Sequence, residues 1–171
     1  CWYVQTTGIW KTVWTEYVPD VSLSYVKMTP NLEEYCLELE FEVDATEDRM
    51  GGDLLVETCV SYEGELVNKN LTAVVSGLVK AKMDLFVKKD DFEWAVKTWT
   101  PEEPNLYDIE FRVLEKGEVL DTVGSYFAMR DIRIDGSNIL LNGRPIYQRL
   151  ILDQGYWKDS HLTPPSEEAL I

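Results

Sequence analysis

The sequence predicts an all-β protein built on an antiparallel β-sandwich, and two features predict it. Residues 18–131 contain six segments in which apolar and polar residues alternate, the period-two pattern of strands with one buried face. Turn-forming pairs such as Gly51-Gly52, Glu63-Gly64 and Lys116-Gly117 separate these segments. Short strands at such intervals are typical of a two-sheet sandwich. The predicted strands are 21–28, 35–43, 54–62, 78–87, 106–114 and 119–129.

The clearest of these strands follows the loop 99–107, which contains two prolines, Pro101 and Pro104. Proline has no N–H for a ladder, so the strand must begin after them. Tyr107 lies at the start of the strand. In immunoglobulin-like sandwiches a tyrosine at such a position can form a tyrosine corner, in which its hydroxyl bonds to backbone upstream in the chain. An ordinary core tyrosine is the alternative reading.

Residues 1–17 form a separate segment rich in aromatic side chains, namely Trp2, Tyr3, Trp10, Trp14 and Tyr17. Such a cluster can be a platform on which sugars stack, because aromatic faces pack on apolar sugar faces. Aromatic residues are more often simply part of a core, and both readings stay open here.

The pattern changes again after Asp131. Residues 134–143 suggest a short hairpin whose strongest turn signal is Asn142-Gly143. Residues 145–152 are mostly apolar without alternation, which predicts a strand covered on both faces, as in a parallel sheet or barrel. Ser166, followed by two glutamates, predicts the start of a helix.

Charge and cysteine usage restrict the function further. The net charge of −15 and the pI near 4.4 exclude a nucleic-acid backbone as partner but leave neutral ligands, including sugars, open. The sequence has no apolar run long enough for a membrane span, and its start lacks the layout of a secretion signal. Cys1, Cys36 and Cys59 are expected to be free thiols, and their spacing does not suggest zinc.

Four motifs together resemble glycoside hydrolase family two, the family of β-galactosidases and β-glucuronidases. They are residues 8–14 (GIWKTVW), 99–107 (WTPEEPNLY), 127–130 (FAMR) and 141–145 (LNGRP), and their order and spacing follow the family across almost the whole chain. The resemblance implies three parts: residues 1–17 as the end of a sugar-binding jelly-roll domain, 18–131 as an immunoglobulin-like sandwich, and 132–171 as the start of a TIM barrel.

The resemblance also implies a retaining glycosidase, with β-galactosidase-like activity as the expectation. Such an enzyme uses one glutamate as acid/base and another as nucleophile. The family places both on later barrel strands, so no catalytic residue is expected in this chain, which alone should be inactive. The pairs Glu33-Glu34, Glu102-Glu103 and Glu167-Glu168 are more simply surface charge.

What the chain can contribute is part of the wall of a substrate pocket. A barrel's active site lies at the carboxyl ends of its strands, which places residues following 145–152 there. The expected substrate-binding residues are Arg149, Asp153, Gln154, Tyr156 and Trp157. By resemblance Arg149 would organise carboxylates, and Trp157 could stack on a sugar ring. His161, the single histidine, is expected to be structural.

The chain departs from the family at two places. Leu152-Asp-Gln-Gly155 replaces a segment that contains a histidine in better-known members, which leaves the substrate open, and Ala128 stands where glycine is usual.

The expected partner is the carbohydrate substrate of the parent enzyme, with no nucleic acid and no membrane, a possible homo-oligomer and a bacterial cytoplasmic or periplasmic location. No cofactor is expected, and no metal-ligand set is visible in the sequence, which leaves metal dependence open. The alternatives are a non-catalytic carbohydrate-binding or adhesion module of the immunoglobulin type, and a family member whose barrel has lost its glutamates.

Overall fold

The computed structural model describes residues 5–9, 11–75, 77–88 and 94–170. Within these ranges the chain forms β-strands and one turn of 3-10 helix, Glu168–Leu170. The strands are β1 (Ser22–Asn31), β2 (Cys36–Asp44), β3 (Leu54–Tyr62), β4 (Glu65–Ala73), β5 (Val79–Asp84), β6 (Val87–Lys88), β7 (Trp94–Ala95), β8 (Tyr107–Glu115), β9 (Glu118–Phe127), β10 (Ile132–Asp135), β11 (Asn138–Leu141) and β12 (Arg144–Pro145).

Two antiparallel sheets make up the main body. One has three strands in the order β1-β2-β5, and the other has four in the order β4-β3-β8-β9. The connections from β2 to β3 and from β4 to β5 pass from one sheet to the other, as in immunoglobulin-type sandwiches. The predicted all-β antiparallel sandwich is confirmed.

The core lies between the two sheets and follows the alternation of β2 and β8. Every second side chain of these strands is buried, because successive residues of a strand point to opposite faces. Phe41 and Phe111 meet at 6.5 Å between ring centroids and connect the two sheets. The buried members of the two strands are Leu37, Leu39, Phe41, Val43, Tyr107, Ile109, Phe111 and Val113.

Hydrogen bonds also tie the two sheets together at their edges. The backbone N–H of Leu23 in β1 donates to Oδ2 of Asp121 in β9 at 2.9 Å. On the opposite side, the Asn68 amide of β4 donates to the carbonyl of Asp84 in β5 at 2.8 Å. Each bond pairs a polar group that would otherwise face the gap between the sheets.

Strand β4 is absent from the sequence-based prediction. It follows β3 through the two-residue turn Glu63-Gly64, whose φ angles of 51° and 82° are both positive, as a type I′ hairpin requires. The sequence predicts Glu63-Gly64 only as a turn that separates two strands, although two residues between extended segments indicate a hairpin. The short hairpin of β6 and β7 was not predicted either.

The hairpin predicted at residues 134–143 is present and is larger than expected. Strands β10, β11 and β12 form a small antiparallel sheet. Asn142 and Gly143 make the turn between β11 and β12 with φ angles of 51° and 76°. Asparagine and glycine are the residues that tolerate this left-handed geometry best.

The strand predicted at residues 145–152 is wrong for this chain. Only Pro145 lies in a strand, β12, and residues 146–152 form none. Leu150, Ile151 and Leu152 are between 79% and 91% exposed. A buried strand of a parallel sheet needs a strand to pair with and elements that cover both of its faces, and the described part of the chain offers this segment no pairing strand.

The chain divides into two compact units. The first comprises residues 18–147, and the second comprises the two ends of the chain, residues 1–17 and 148–171. Residues 132–147 fall in the first unit, and the domain boundary expected after residue 131 stays a prediction. The helix expected after Ser166 is a 3-10 turn, with the N–H of Ala169 bonded to the Ser166 carbonyl at 3.3 Å. No helix among the described residues has the length and apolar character to cross a bilayer.

Candidate functional site

The five predicted pocket residues lie in the segment 149–157, outside the sandwich. Arg149, Asp153 and Gln154 are exposed, whereas Tyr156 and Trp157 are half-buried. Of the five residues, only the two aromatic ones are thus partly enclosed by their surroundings. Whether these residues contact a substrate stays a prediction.

Tyr156 and Trp157 belong to a closed turn that ends at His161. The backbones of Trp157 and His161 exchange hydrogen bonds of 2.9 and 3.0 Å. His161 has a φ of 57°, which lets the chain reverse there. The Tyr156 hydroxyl lies 2.9 Å from Nδ1 of His161, and their rings are 5.6 Å apart. The expected structural role of His161 agrees with this position, because the imidazole fixes Tyr156.

Gly155 allows the indole of Trp157 to fold over the preceding backbone. A Cβ at position 155 would lie 2.9 Å from Cη2 of Trp157, closer than real Cβ contacts occur. The same Cβ would lie 3.5 Å from Oδ1 of Asp153. A larger residue at 155 would therefore displace Trp157. Beside these residues, the hydroxyl of Ser160 is buried without a partner among the described residues.

The segment thus offers an aromatic pair beside an exposed carboxylate. Aromatic faces and a few polar groups are what sugar recognition uses, because one side of a sugar ring is apolar and its rim carries hydroxyls. We call Asp153, Tyr156, Trp157 and His161 the 153–161 cluster.

A second group of residues, centred on Asn142, joins the motifs 99–107 and 141–145 and also contacts Asp131, the residue that follows motif 127–130. The Asn142 side chain accepts a hydrogen bond from the Asp131 N–H at 3.0 Å and donates one to the Trp99 carbonyl at 3.0 Å. The Asn142 N–H donates to the Asp131 carbonyl at 2.9 Å. The hairpin β11–β12 is thereby fastened to the loop 99–107.

The loop itself is fixed from both sides. The Trp99 N–H donates to the Met129 carbonyl at 2.9 Å, and the Arg130 guanidinium lies 5.2 Å from the centre of the Trp99 ring. Asn105 donates to the Thr98 carbonyl and accepts from the Tyr62 hydroxyl, at 2.9 and 2.7 Å. These motif residues therefore have a structural role, because their polar groups form hydrogen bonds within the protein.

An ion-pair network lies on the outer face of the four-stranded sheet. Glu57, whose side chain is only 11% exposed, pairs with Lys69 at 2.6 Å and with Arg112 at 3.2 Å. The Lys69 hydrogen bond holds the pKa of Glu57 below its usual value, against the effect of burial. Arg112 also pairs with Glu110. These charges compensate one another.

Cys36 is fully buried, and Cys59 is half-buried; both are free thiols, as predicted. Burial raises the pKa of each, so neither is activated as a nucleophile. Cys1 lies outside the described residues.

Glu34, Cys36 and Glu38 bring ligand-type atoms within 4.8 Å of one another. However, Lys82 pairs with Glu34 and Asn31 donates to Glu38 at 2.9 Å, so side chains of the protein already occupy these acceptors.

Comparison with known proteins places this fold in a family. The sequence profile of Glycosyl hydrolases family 2 matches residues 21–130. A curated protein of Formosa agariphila, predicted to be a beta-glucuronidase, is 31% identical over 147 residues, which is 80% of this chain and 17% of that protein.

Solved structures agree on the fold. A glycosyl hydrolase family 2 member from Bacteroides cellulosilyticus superimposes with a TM-score of 0.62 at 16% identity, over 75% of this chain and 17% of its own. The β-glucuronidase of Ruminococcus gnavus gives a TM-score of 0.55 at 23% identity, over 75% and 19%. The chain thus spans less than a fifth of the length of each relative. The expectation of a β-galactosidase-like member is not supported, because the relatives with a named activity are β-glucuronidases.

Proposed function

This chain belongs to glycosyl hydrolases family 2, and we propose that it is the interdomain sandwich of a retaining β-glycosidase whose substrate is a β-glucuronide. The profile match over residues 21–130 carries the proposal, because it covers the sandwich and the motifs 99–107 and 127–130. The glucuronide is inferred from the two relatives named as β-glucuronidases.

In this proposal residues 1–17 end a sugar-binding jelly roll, 18–131 form the sandwich and 132–171 begin a TIM barrel. The exposed apolar side chains of 150–152 support the last part, since a buried barrel strand needs such residues and neighbouring strands would cover them. The network around Asn142 then holds the turn between β11 and β12 in a fixed orientation against the loop 99–107.

Catalysis itself would rest on two glutamates of the parent enzyme outside this chain. In a retaining enzyme one carboxylic acid protonates the leaving oxygen while the second carboxylate attacks the anomeric carbon, at a separation of about 5 to 5.5 Å. Arg149, Asp153, Gln154, Tyr156 and Trp157 would line the pocket, with Trp157 stacking on the sugar. The chain alone is therefore expected to be inactive.

The test compares the 171-residue chain with its full-length parent on nitrophenyl β-glycosides. We expect the parent to hydrolyse the β-glucuronide in preference to the β-galactoside, and the chain to hydrolyse neither. In the parent, Trp157→Ala should raise KM for the glucuronide about tenfold, the upper end of what one aromatic stacking contact contributes, whereas Trp157→Phe keeps a stacking face. A parent that cleaves the galactoside alone, or a Trp157→Ala variant with wild-type KM, would contradict the assignment.

A further inference from the structure

Gly124 occupies a position where the fold has no need of glycine. It lies inside strand β9, opposite Glu110 of β8, and its φ is outside the left-handed region. A Cβ built there meets nothing within 4 Å. The register shift between β8 and β9 falls at Val113 and Leu114, away from this residue.

Glycine inside a strand costs roughly 0.5 to 1 kcal/mol relative to alanine. It usually marks a bulge, a tight bend or the close approach of a ligand or another backbone. The register is continuous from Tyr107–Phe127 to Val113–Asp121, which leaves no place for a bulge or a sharp bend at Gly124. Among the described residues, no backbone comes within 4 Å of a Cβ built at this position. The remaining explanation is an outside molecule that comes close to the sheet at Gly124.

A groove of about 690 Å³ runs over this position on the outer face of the four-stranded sheet. Its size falls within the range of ligand sites. Tyr126 and Leu66, each 65% exposed, line the groove beside Gly124. Asp108 stands opposite Tyr126 in the ladder, and Ser61 stands opposite Asp108. We call this the Gly124 groove.

Two polar groups of the groove are available to a ligand. Within the described ranges, neither the Asp108 carboxylate nor the Ser61 hydroxyl takes part in a hydrogen bond of the protein. A carboxylate accepts hydrogen bonds from hydroxyls, and a serine can both donate and accept. Together with the exposed Tyr126 ring, they match a molecule that has an apolar face and a rim of hydroxyl groups.

The charges of the groove select against anions. Asp108 and Glu110 are acidic, and Arg112 is paired with both Glu110 and Glu57. The positive charge is thus already neutralised, and the net charge of the chain is −15. A ligand with a carboxylate would be repelled, whereas a neutral sugar would not.

We propose that the Gly124 groove is a non-catalytic binding site for neutral oligosaccharides, with the Tyr126 ring as stacking face and Asp108 and Ser61 as hydrogen-bonding groups. It is formed by residues of the sandwich and includes none of the residues 149–157, and it prefers a sugar of different charge from the proposed glucuronide. Such a site would hold the parent enzyme on a polysaccharide.

The test is a titration of the ¹⁵N-labelled 171-residue chain with a neutral cello-oligosaccharide, a neutral galacto-oligosaccharide and an oligouronate of the same length. We expect at least one neutral sugar to shift the amide signals of Asp108, Gly124 and Tyr126, and the oligouronate to bind at least tenfold more weakly. Tyr126→Ala should weaken binding about tenfold, the effect of one lost stacking contact, while Tyr25→Ala, a matched exposed tyrosine on the other sheet, should not.

Gly124→Thr separates binding from folding. Threonine suits a strand and its Cβ meets nothing within 4 Å here, so the variant should unfold at the same or a higher temperature while its affinity for the neutral sugar falls at least tenfold. Unchanged affinity in Gly124→Thr would overturn the proposal. So would tighter binding of the oligouronate, silence of all neutral sugars, or self-association through this face in sedimentation.

Discussion

The hydroxyl of Tyr107 accepts a hydrogen bond from the backbone N–H of Lys97 at 2.8 Å. Tyr107 is fully buried, and its ring stacks on Phe127 at 5.2 Å. This bond is the tyrosine corner, one of the two alternatives that the sequence leaves open for Tyr107. The other alternative is an ordinary core tyrosine. It fastens the segment before the loop 99–107 to the start of β8.

Replacing Tyr107 by Phe should destabilise the protein by about 1 to 3 kcal/mol. The ring contacts remain, but the Lys97 N–H loses its partner, and an unsatisfied donor is costly where water cannot reach it. The measurement is urea unfolding, with a lower midpoint at an unchanged m-value. Tyr126→Phe removes an exposed hydroxyl and should change stability by less than about 0.5 kcal/mol; equal effects of the two variants would refute the corner.

Asn142→Gly should loosen the hairpin β11–β12 by about 1 to 3 kcal/mol. Glycine tolerates the φ of 51°, so only the two side-chain hydrogen bonds are lost, at about 0.5 to 1.5 kcal/mol each. Hydrogen exchange of the Asp131 amide should accelerate, since Asn142 Oδ1 is its acceptor. Asn138→Ala, at an exposed position of strand β11 in the same hairpin, serves as control. Unchanged protection at Asp131 would contradict the described network.

The Glu57 network predicts a loss of stability in acid. The pKa of Glu57 is lowered in the folded state, chiefly by the Lys69 hydrogen bond, so the carboxylate stabilises the fold above its ordinary pKa of 4.5. This contribution is lost as the pH falls below 4.5 and through the lower folded value. Midpoints of urea unfolding between neutral pH and pH 3 should drop more for wild type than for Glu57→Gln. Parallel curves would show that Glu57 carries no such linkage.

Lys116→Asn should stabilise the protein by roughly 1 kcal/mol, the lower end of what the left-handed region costs. Lys116 has a φ of 52° in the two-residue turn between β8 and β9, a conformation that asparagine accepts more readily than lysine. Thermal unfolding should show a rise of a few degrees. Lys80→Asn, in the regular strand β5, removes the same charge and serves as control. An equal rise in its unfolding temperature would show that the effect comes from the lost charge and not from the turn.

The sandwich could be predicted because its strands keep strict alternation. Leu37, Leu39 and Phe41 are buried where the period of two places them. Strand β4 could not be recognised from alternation, because it lies at the edge of its sheet and exposes both Leu66 and Leu71. Its only signal was the turn Glu63-Gly64.

Burial at strand ends is also beyond a simple pattern. Cys36 falls on the face of Glu38 and Glu40, yet it is fully buried. The prediction for segment 145–152 failed for a different reason, since no described strand pairs with residues 146–152. Of the predicted pocket, Tyr156 and Trp157 are adjacent in sequence, so their grouping needed no long-range information. The contacts of Asn142 with Asp131 and Trp99 depend on tertiary structure, and the motifs alone did not reveal them.

The ladder between β3 and β8 joins residues that are far apart in the chain, such as Ser61 and Asp108. The hairpins β3–β4 and β8–β9 close through two-residue turns, so each can form within about 1 to 10 μs. Joining them requires closure of the chain between β4 and β8, and such non-local pairing dominates slow-folding sandwiches. Folding is therefore expected to be limited by the docking of two preformed hairpins, on the millisecond-to-second scale of β-sandwiches, and not by the formation of either one.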